Sequence, residues 1–238
     1  MLKFIIAFER RNGMNREDCH KYLRLSHGPR VAGVPEFARH VRRYVQNYSL
    51  PELAALGRPR LVADGAAELW FDTPETFVRA YAEPRYLEHI RPDESNFTNP
   101  ERYIATFTRE TAVWDGPVTA VKMIRFLTVG KDVDPATARR TWSRRYAKEL
   151  AEDRGARALA ARYLQNWSIP SSENPFPLAE PFEGVDEFWF KNVADVSAFL
   201  EAEQRVLSAP QLVPPVMDLG ASIAFIATEG VMPGYGGG

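Results

Sequence analysis

The sequence is short of the groups that most often announce a chemistry. Its 238 residues hold one cysteine, Cys19, so no intrachain disulfide and no cysteine-based zinc site can form. A lone thiol suits a reducing compartment, and a cytoplasmic protein is the expectation. Charge of neither sign is in excess: 30 Lys and Arg stand against 31 Asp and Glu. No overall basic field exists to hold nucleic acid. The one apolar run near the start, Leu2–Phe8, is broken by Glu9-Arg10-Arg11. It is too short for a secretion signal and far too short to span a bilayer, so no membrane partner is expected. A Gly-x-Gly-x-x-Gly turn, a phosphate loop, a Gly-x-Ser-x-Gly elbow and a His-x-x-x-His pair are all missing. Nucleotide cofactors, an ordinary serine hydrolase and a bound metal are therefore not expected. Histidine is missing from the later part of the chain, since His20, His27, His40 and His89 all lie in the first 89 residues.

What is present is a repeat. Tyr44-Val45-Gln46-Asn47-Tyr48 returns as Tyr163-Leu164-Gln165-Asn166-Trp167, 119 positions on. Glu68-Leu69-Trp70-Phe71 returns as Glu187-Phe188-Trp189-Phe190 at the same offset, as do Lys3 in Lys122 and Glu110 in Glu229. Four anchors at one spacing point to a duplicated unit. The expected division is 1–115 and 116–230, joined at the turn-like Trp114-Asp115-Gly116-Pro117, with 231–238 as a flexible tail.

Each unit reads strand, helix, strand, strand, helix, strand. In the first, Leu2–Phe8 is a strand and Asn15 caps a helix over about 16–26, which Pro29 and Pro35 should end. Strands follow over about 40–49, 66–71 and 103–113, with loop 51–65 between the first two of these. Thr73-Pro74 starts the second helix, and a further turn runs from Arg85 to about Arg91. In the second unit Asp134-Pro135 plays the capping role, and the loop 169–184 carries four prolines.

Both helices of such a unit pack on one sheet face, so the other face must be covered too. Two sheets packed face to face would hide both and leave a pocket between them. Alternation puts Leu69 and Phe71 on one face of their strand and Glu68 and Trp70 on the other. The wholly apolar pair should meet the helices, which sends Glu68, Trp70, Glu187 and Trp189 into the inter-sheet space. Composition likewise sends Tyr44, Gln46 and Tyr48 inward and leaves Val45 and Asn47 outside. Such a face suits an aromatic small molecule bearing a few oxygens. The plainer reading of Glu68 is a buried carboxylate paired with an arginine such as Arg43 or Arg162.

These residues carry a resemblance. Gly13-Met14-Asn15-Arg16-Glu17, His27-Gly28-Pro29, Arg43-Tyr44-Val45-Gln46-Asn47, Asp64–Phe71 and Asp93-Glu94-Ser95-Asn96-Phe97 follow the order and spacing of an EthD-family domain of the dimeric α+β barrel superfamily. They span most of residues 3–110. The second unit resembles the family more faintly, through its strands. The resemblance implies an α+β chain of two ferredoxin-like βαββαβ units, packed sheet to sheet as a pseudo-dimeric α+β barrel within one chain. The superfamily includes cofactor-free monooxygenases, polyketide cyclases, pigment-pathway dehydratases, muconolactone isomerases and haem enzymes. It implies the fold more firmly than the reaction.

Aligning the halves concentrates the candidates. His27 becomes Tyr146, and Asp93–Phe97 becomes Leu212–Val216. One working site in the first unit is therefore expected, with the second as scaffold and lid. His27, at a helix end and in the family motif, is the candidate acid or base. Asp93 either orients it or caps the turn at Asn96. Tyr44, Glu68 and Tyr146 are candidates for stabilising charge. Gln46, Asn47, Tyr48, Trp70, His89, Tyr163, Trp167 and Trp189 are candidate binding residues, with at most one of Tyr44 and Asn47 facing inward. The expected activity is cofactor-free acid–base chemistry of dehydratase, cyclase or retro-aldol type on an aromatic or polyketide-like molecule. The alternatives are a cofactor-independent monooxygenase on a phenolic or anthrone-like substrate and a non-catalytic, stress-responsive binding protein. Duplication removes the need for a second chain to close the barrel, and Trp-bearing surfaces leave room for a homodimer of the tandem chain.

Overall fold

A computed structural model describes residues 1–51, 63–178 and 182–235. The middle of the loop expected over 51–65, the end of the proline-rich loop and Gly236–Gly238 lie outside the described residues. Strands β1 (Leu2–Arg10), β2 (Arg43–Ser49), β3 (Gly65–Phe71) and β4 (Thr98–Trp114) come from the N-terminal half. Strands β5 (Val121–Leu127), β6 (Ala160–Ser168), β7 (Gly184–Phe190) and β8 (Ile223–Val231) come from the C-terminal half.

Helices fall where the caps ask for them. The Asn15 side chain accepts from the Asp18 backbone N–H and starts α1 (Arg16–Tyr22). The chain then passes through a π-helical turn, Leu23–His27, into α2 (Gly28–Ala32) and α3 (Pro35–Ala38). Pro29 does not end the helical stretch as expected. It sits in the first turn of α2, where a missing N–H costs little. Thr73-Pro74 starts α4 (Pro74–Tyr81), followed by a π turn at Tyr86–Ile90 and a 3-10 turn at Arg91–Asn96. Asp134-Pro135 starts α5 (Pro135–Thr141), followed by its own π turn at Trp142–Tyr146, then α6 (Ala147–Glu152), α7 (Arg154–Leu159) and α8 (Val193–Leu207).

The eight strands form one closed barrel in the order β1-β3-β2-β8-β5-β7-β6-β4. Each half supplies four neighbouring strands. The halves join through two antiparallel seams, β2 with β8 and β4 with β6. The strands thus share edges as well as facing one another, and among the described residues each of the eight is paired on both sides.

Alternation along β1 separates two environments. Leu2 and Phe4 belong with Val31, Phe37, Phe77 and Ile90 to a core under the N-terminal helices. Ile5 and Ala7 belong with Ala66, Ile104, Ile124, Phe126, Val185 and Phe225 to a core drawn from strands of both halves, the barrel interior. A third core packs β5–β8 against α5–α8.

The barrel interior also holds a ring of charge. Lys3 Nζ lies 2.8 Å from Glu68 and 2.6 Å from Glu187. Lys122 pairs with Glu68 and lies 2.9 Å from Glu187. All four side chains are at most 2% exposed, so each charge must be met inside the protein. Glu110 and Glu229 add outer contacts to Lys3 and Lys122, at 3.1 and 3.4 Å. Burial alone would raise the Glu68 carboxyl, but Lys122 and Lys3 overcome it and hold Glu68 below the usual range. The lysines stand over Trp70 and Trp189, at 4.6 and 4.7 Å from the ring centroids. The expected arginine partner of Glu68 is thus corrected: its partners are the two strand lysines.

The last described residues are not a loose tail. Met232 donates its backbone N–H to the Tyr44 carbonyl, and the Tyr235 hydroxyl donates to the Val31 carbonyl at 3.2 Å. Both side chains are buried in the core of the N-terminal half.

Candidate functional site

Among the described residues, apolar side chains and the ion ring fill the barrel interior, where a pocket between two sheets was expected. A cavity of about 690 Å³ lies instead between the outer face of the N-terminal strands and the helices that cover them. Phe4, Ile6, Tyr44, Ala67 and Leu69 form its sheet wall. Leu23, His27, Val31, Phe37, Phe77, Tyr86 and Ile90 form its helix wall. Phe176, from the C-terminal half, closes one side against Phe4, Phe77 and Phe107.

The facing assigned to β2 must be reversed. Tyr44 pairs with Leu69 across the strands, and Val45 with Glu68. Tyr44, Gln46 and Tyr48 therefore lie on the helix side, and Asn47 turns into the barrel to donate to Glu68 at 2.7 Å. A polar face suggested a pocket, but the buried glutamates on the inner face are answered by lysines. Tyr44 still lines the cavity, from the opposite side of the sheet to the expected one.

His27 ends the π turn, and its ring lines the cavity. Its Nδ1 is 2.9 Å from Asp93 Oδ2. The remaining nitrogen, Nε2, has no hydrogen-bond partner among the described residues. Tyr22 donates to Asp93 Oδ1 at 2.6 Å, Asn96 Nδ2 donates at 3.2 Å, and Arg30 lies 3.3 Å away. Asp93 therefore does both things proposed for it: it orients His27 and it ties down the turn at Asn96. Burial would raise the Asp93 carboxyl, but the hydrogen bonds from His27, Tyr22 and Asn96 hold it below the usual carboxylate range. An ionised Asp93 keeps the proton on Nδ1 and leaves Nε2 as the basic nitrogen.

Gly28 follows His27 for a packing reason. A Cβ there would overlap Met232 Sδ and crowd the Gln46 amide at 3.0 Å and the Leu23 carbonyl at 3.2 Å. Gln46 donates to that same Leu23 carbonyl, at 3.0 Å, and to the Tyr44 hydroxyl, at 2.9 Å. The His27 turn is thus clamped between β2 and the segment after β8.

Glu94 also lines the cavity, beside His27 and Tyr86. Tyr86 donates to it at 2.9 Å and Arg91 lies 3.3 Å away, yet burial pushes its carboxyl up from the usual value. Sequence reasoning quoted Glu94 in a motif and gave it no role. Its position next to Asp93 was the available signal.

The other candidates are elsewhere. Glu68, Trp70, Asn47 and Trp189 belong to the barrel interior. Tyr48 donates to Gln46 Oε1 at 2.7 Å, away from the cavity lining. His89 contacts Glu88 at 3.3 Å and is not among the lining residues. Tyr146, Tyr163 and Trp167 lie in the core of the C-terminal half.

That half shows what happens to the equivalent space. Tyr163 accepts from Gln165 at 2.7 Å and donates to Asp186 at 2.8 Å. Trp142 stacks on Tyr146 with centroids 3.7 Å apart and donates to Asp186 at 3.0 Å. Arg125 bridges Glu203 and Asp186, at 2.6 and 3.5 Å. All of these side chains are buried. Counting back 119 positions, Arg125, Trp142 and Asp186 become Ile6, Leu23 and Ala67, which line the cavity.

Haem has a poor fit to this lining. Its two propionates need cationic partners, and the lining holds one Arg or Lys, Arg91, already beside Glu94. Among the described residues no group of three His, Cys, Asp or Glu side chains could hold a metal. No helix of the described residues is long and apolar enough to cross a membrane.

Comparison with known proteins follows the same division of the chain. Residues 11–101 match the EthD domain. A conidial pigment biosynthesis dehydratase EthD of Metarhizium robertsii is 29% identical over 109 residues, which cover 43% of this chain and 76% of that protein. Among solved structures, a provisionally assigned chlorite dismutase superposes with a TM-score of 0.56 at 10% identity, covering 96% of this chain and 94% of the other. A provisionally assigned monooxygenase from Lactobacillus acidophilus gives a TM-score of 0.51 at 10% identity, covering 97% and 94%. At such identity these two speak for the fold alone, an α+β barrel.

Proposed function

This chain belongs to the EthD family through its N-terminal half, and on that premise we propose that it is a lyase of dehydratase type acting on an aromatic small molecule. The observation that carries this reading is the Asp93–His27 pair on the wall of an aromatic-lined cavity. The name of the Metarhizium relative, a pigment biosynthesis dehydratase, agrees with it. We read the two halves as ferredoxin-like units, 1–115 and 116–230, of which the first is active.

In this reading His27 Nε2 removes a proton from a carbon next to a carbonyl. The C–H electron pair moves into the new double bond, and the β-hydroxyl leaves with a proton as water. Glu94, raised by burial, supplies that proton, and the histidine proton then returns to the carboxylate or to solvent. The aromatic walls give a planar substrate its contact area.

The test is conversion of a β-hydroxytetralone to the naphthol, followed by naphthol fluorescence. His27→Gln is expected to slow it by roughly 10²–10⁴-fold. An unchanged rate in that variant would remove His27 from the reaction. Oxygen consumed in step with product would instead assign a monooxygenase.

A further inference from the structure

The C-terminal half carries, in its own side chains, a cast of what the N-terminal cavity leaves open. The correspondence is position by position. Gln46 donates to the Leu23 carbonyl and the Tyr44 hydroxyl, and Gln165 donates to the Trp142 carbonyl and the Tyr163 hydroxyl. Ile6 faces Ala67 across β1 and β3, and Arg125 faces Asp186 across β5 and β7. The backbone frames agree, so the side chains can be compared in place.

The difference lies at the tyrosine. Tyr163 accepts one hydrogen bond and donates one, to the Asp186 carboxylate. Tyr44 accepts the same bond from Gln46, but the residue at the place of Asp186 is Ala67. No acceptor among the described residues takes the Tyr44 hydroxyl proton. The phenol is buried, and burial holds its pKa above the usual value, so the proton stays on the oxygen and is available to a guest. The indole of Trp142 has no counterpart either, because Leu23 stands in its place.

We infer that the guest of the N-terminal cavity is a planar aromatic ketone or phenolate that lays its ring where Trp142 lies in the other half and places one oxygen where Asp186 meets Tyr163, accepting from Tyr44. This rests on the reading of the cavity as a substrate site and adds to it an orientation and a required acceptor oxygen. It makes Tyr44 the residue that selects oxygenated rings over bare ones. With the oxygen held at Tyr44, His27 and Glu94 act on the part of the molecule nearer the helices.

The test separates binding from turnover. Fluorenone and fluorene differ by one carbonyl acceptor and share a flat ring system, and their binding to the whole chain can be titrated by calorimetry. The wild-type chain is expected to prefer fluorenone by roughly tenfold, the value of one net hydrogen bond. Tyr44→Phe should abolish the preference while leaving fluorene binding unchanged. Tyr163→Phe, the same change in the filled half, should leave the preference intact. Ala67→Asp, which gives Tyr44 the acceptor that Tyr163 has, should weaken both probes. A preference that survives Tyr44→Phe, or a wild-type chain that binds neither probe, overturns the inference. Failure of the dehydratase reading shows differently, as absence of tetralone turnover with the fluorenone preference still present.

Discussion

Removing one lysine from the barrel interior tests the energetics of the fold most directly. Lys122→Met keeps the volume of the side chain and deletes one charge of the ring. Glu68 and Glu187 then share Lys3 alone, and Glu229 loses its 3.4 Å partner. A buried ion pair broken on one side leaves an uncompensated charge and costs about 3–5 kcal/mol. For a chain of this size that corresponds to a fall in Tm of roughly 6–20 °C. Thermal unfolding by circular dichroism and urea titration at neutral pH measure it. The loss should shrink as the solution is acidified. Without Lys122 the carboxyls are raised in the folded state, so their protonation on lowering the pH favours the fold. Lys122→Met combined with Glu187→Leu deletes a matched pair and should recover most of the loss, since buried pairs and well-packed apolar replacements are often near equal. A single variant that costs less than about 1 kcal/mol, the level of an exposed pair, would refute the picture of a dry, fully ionised ring.

Other outcomes follow from the same contacts. Gly28→Ala should cost about 1–3 kcal/mol through overpacking, and Met232→Ala in the same chain should return part of it, because the two changes share one clash. Urea midpoints of the four chains of that cycle measure the coupling. Burial pushes Asp186 up to about 6 despite Arg125, Tyr163 and Trp142. The native state therefore binds more protons than the unfolded state between about pH 4 and 6. Asp186 lowers stability as pH rises through that window, and Asp186→Asn should flatten this part of the stability–pH curve. Cys19 is fully buried and its thiol is pushed up to about 12, so a disulfide reagent at pH 8 should label it only as fast as the chain opens.

The duplication was readable in the sequence because the anchors sit on strands, where register keeps spacing. The succession of strands and helices along each half followed from the same pattern, and the spatial order of the strands did not. The position of the pocket was not readable, for a reason visible at Lys3 and Lys122. Both look like polar residues that open a strand, and only closure of the barrel brings them to Glu68 and Glu187. The face bearing Glu68, Trp70, Glu187 and Trp189 therefore turned out to be a charge-paired interior. The Tyr44 and Gln46 face, read by composition as its continuation, was the other side of the sheet. The His27–Asp93 pair was within reach because both residues belong to short motifs. Glu94 stood in the same motif and the same 3-10 turn as Asp93 and was passed over, whereas Phe176 was out of reach because it crosses over from the opposite half.

The seam between β2 and β8 has a consequence for synthesis. The helix that carries His27 is made early, but Met232 and Tyr235, which brace it, are made about two hundred residues later. A ribosome-bound chain that has emerged only through β7 has an open edge at β2 and an unbraced histidine turn. The cavity should therefore acquire its geometry at one late moment rather than half by half. Binding of an aromatic probe to stalled chains of increasing length would appear as a step near residue 235. A chain cut between the halves would keep the family motifs and lose the site.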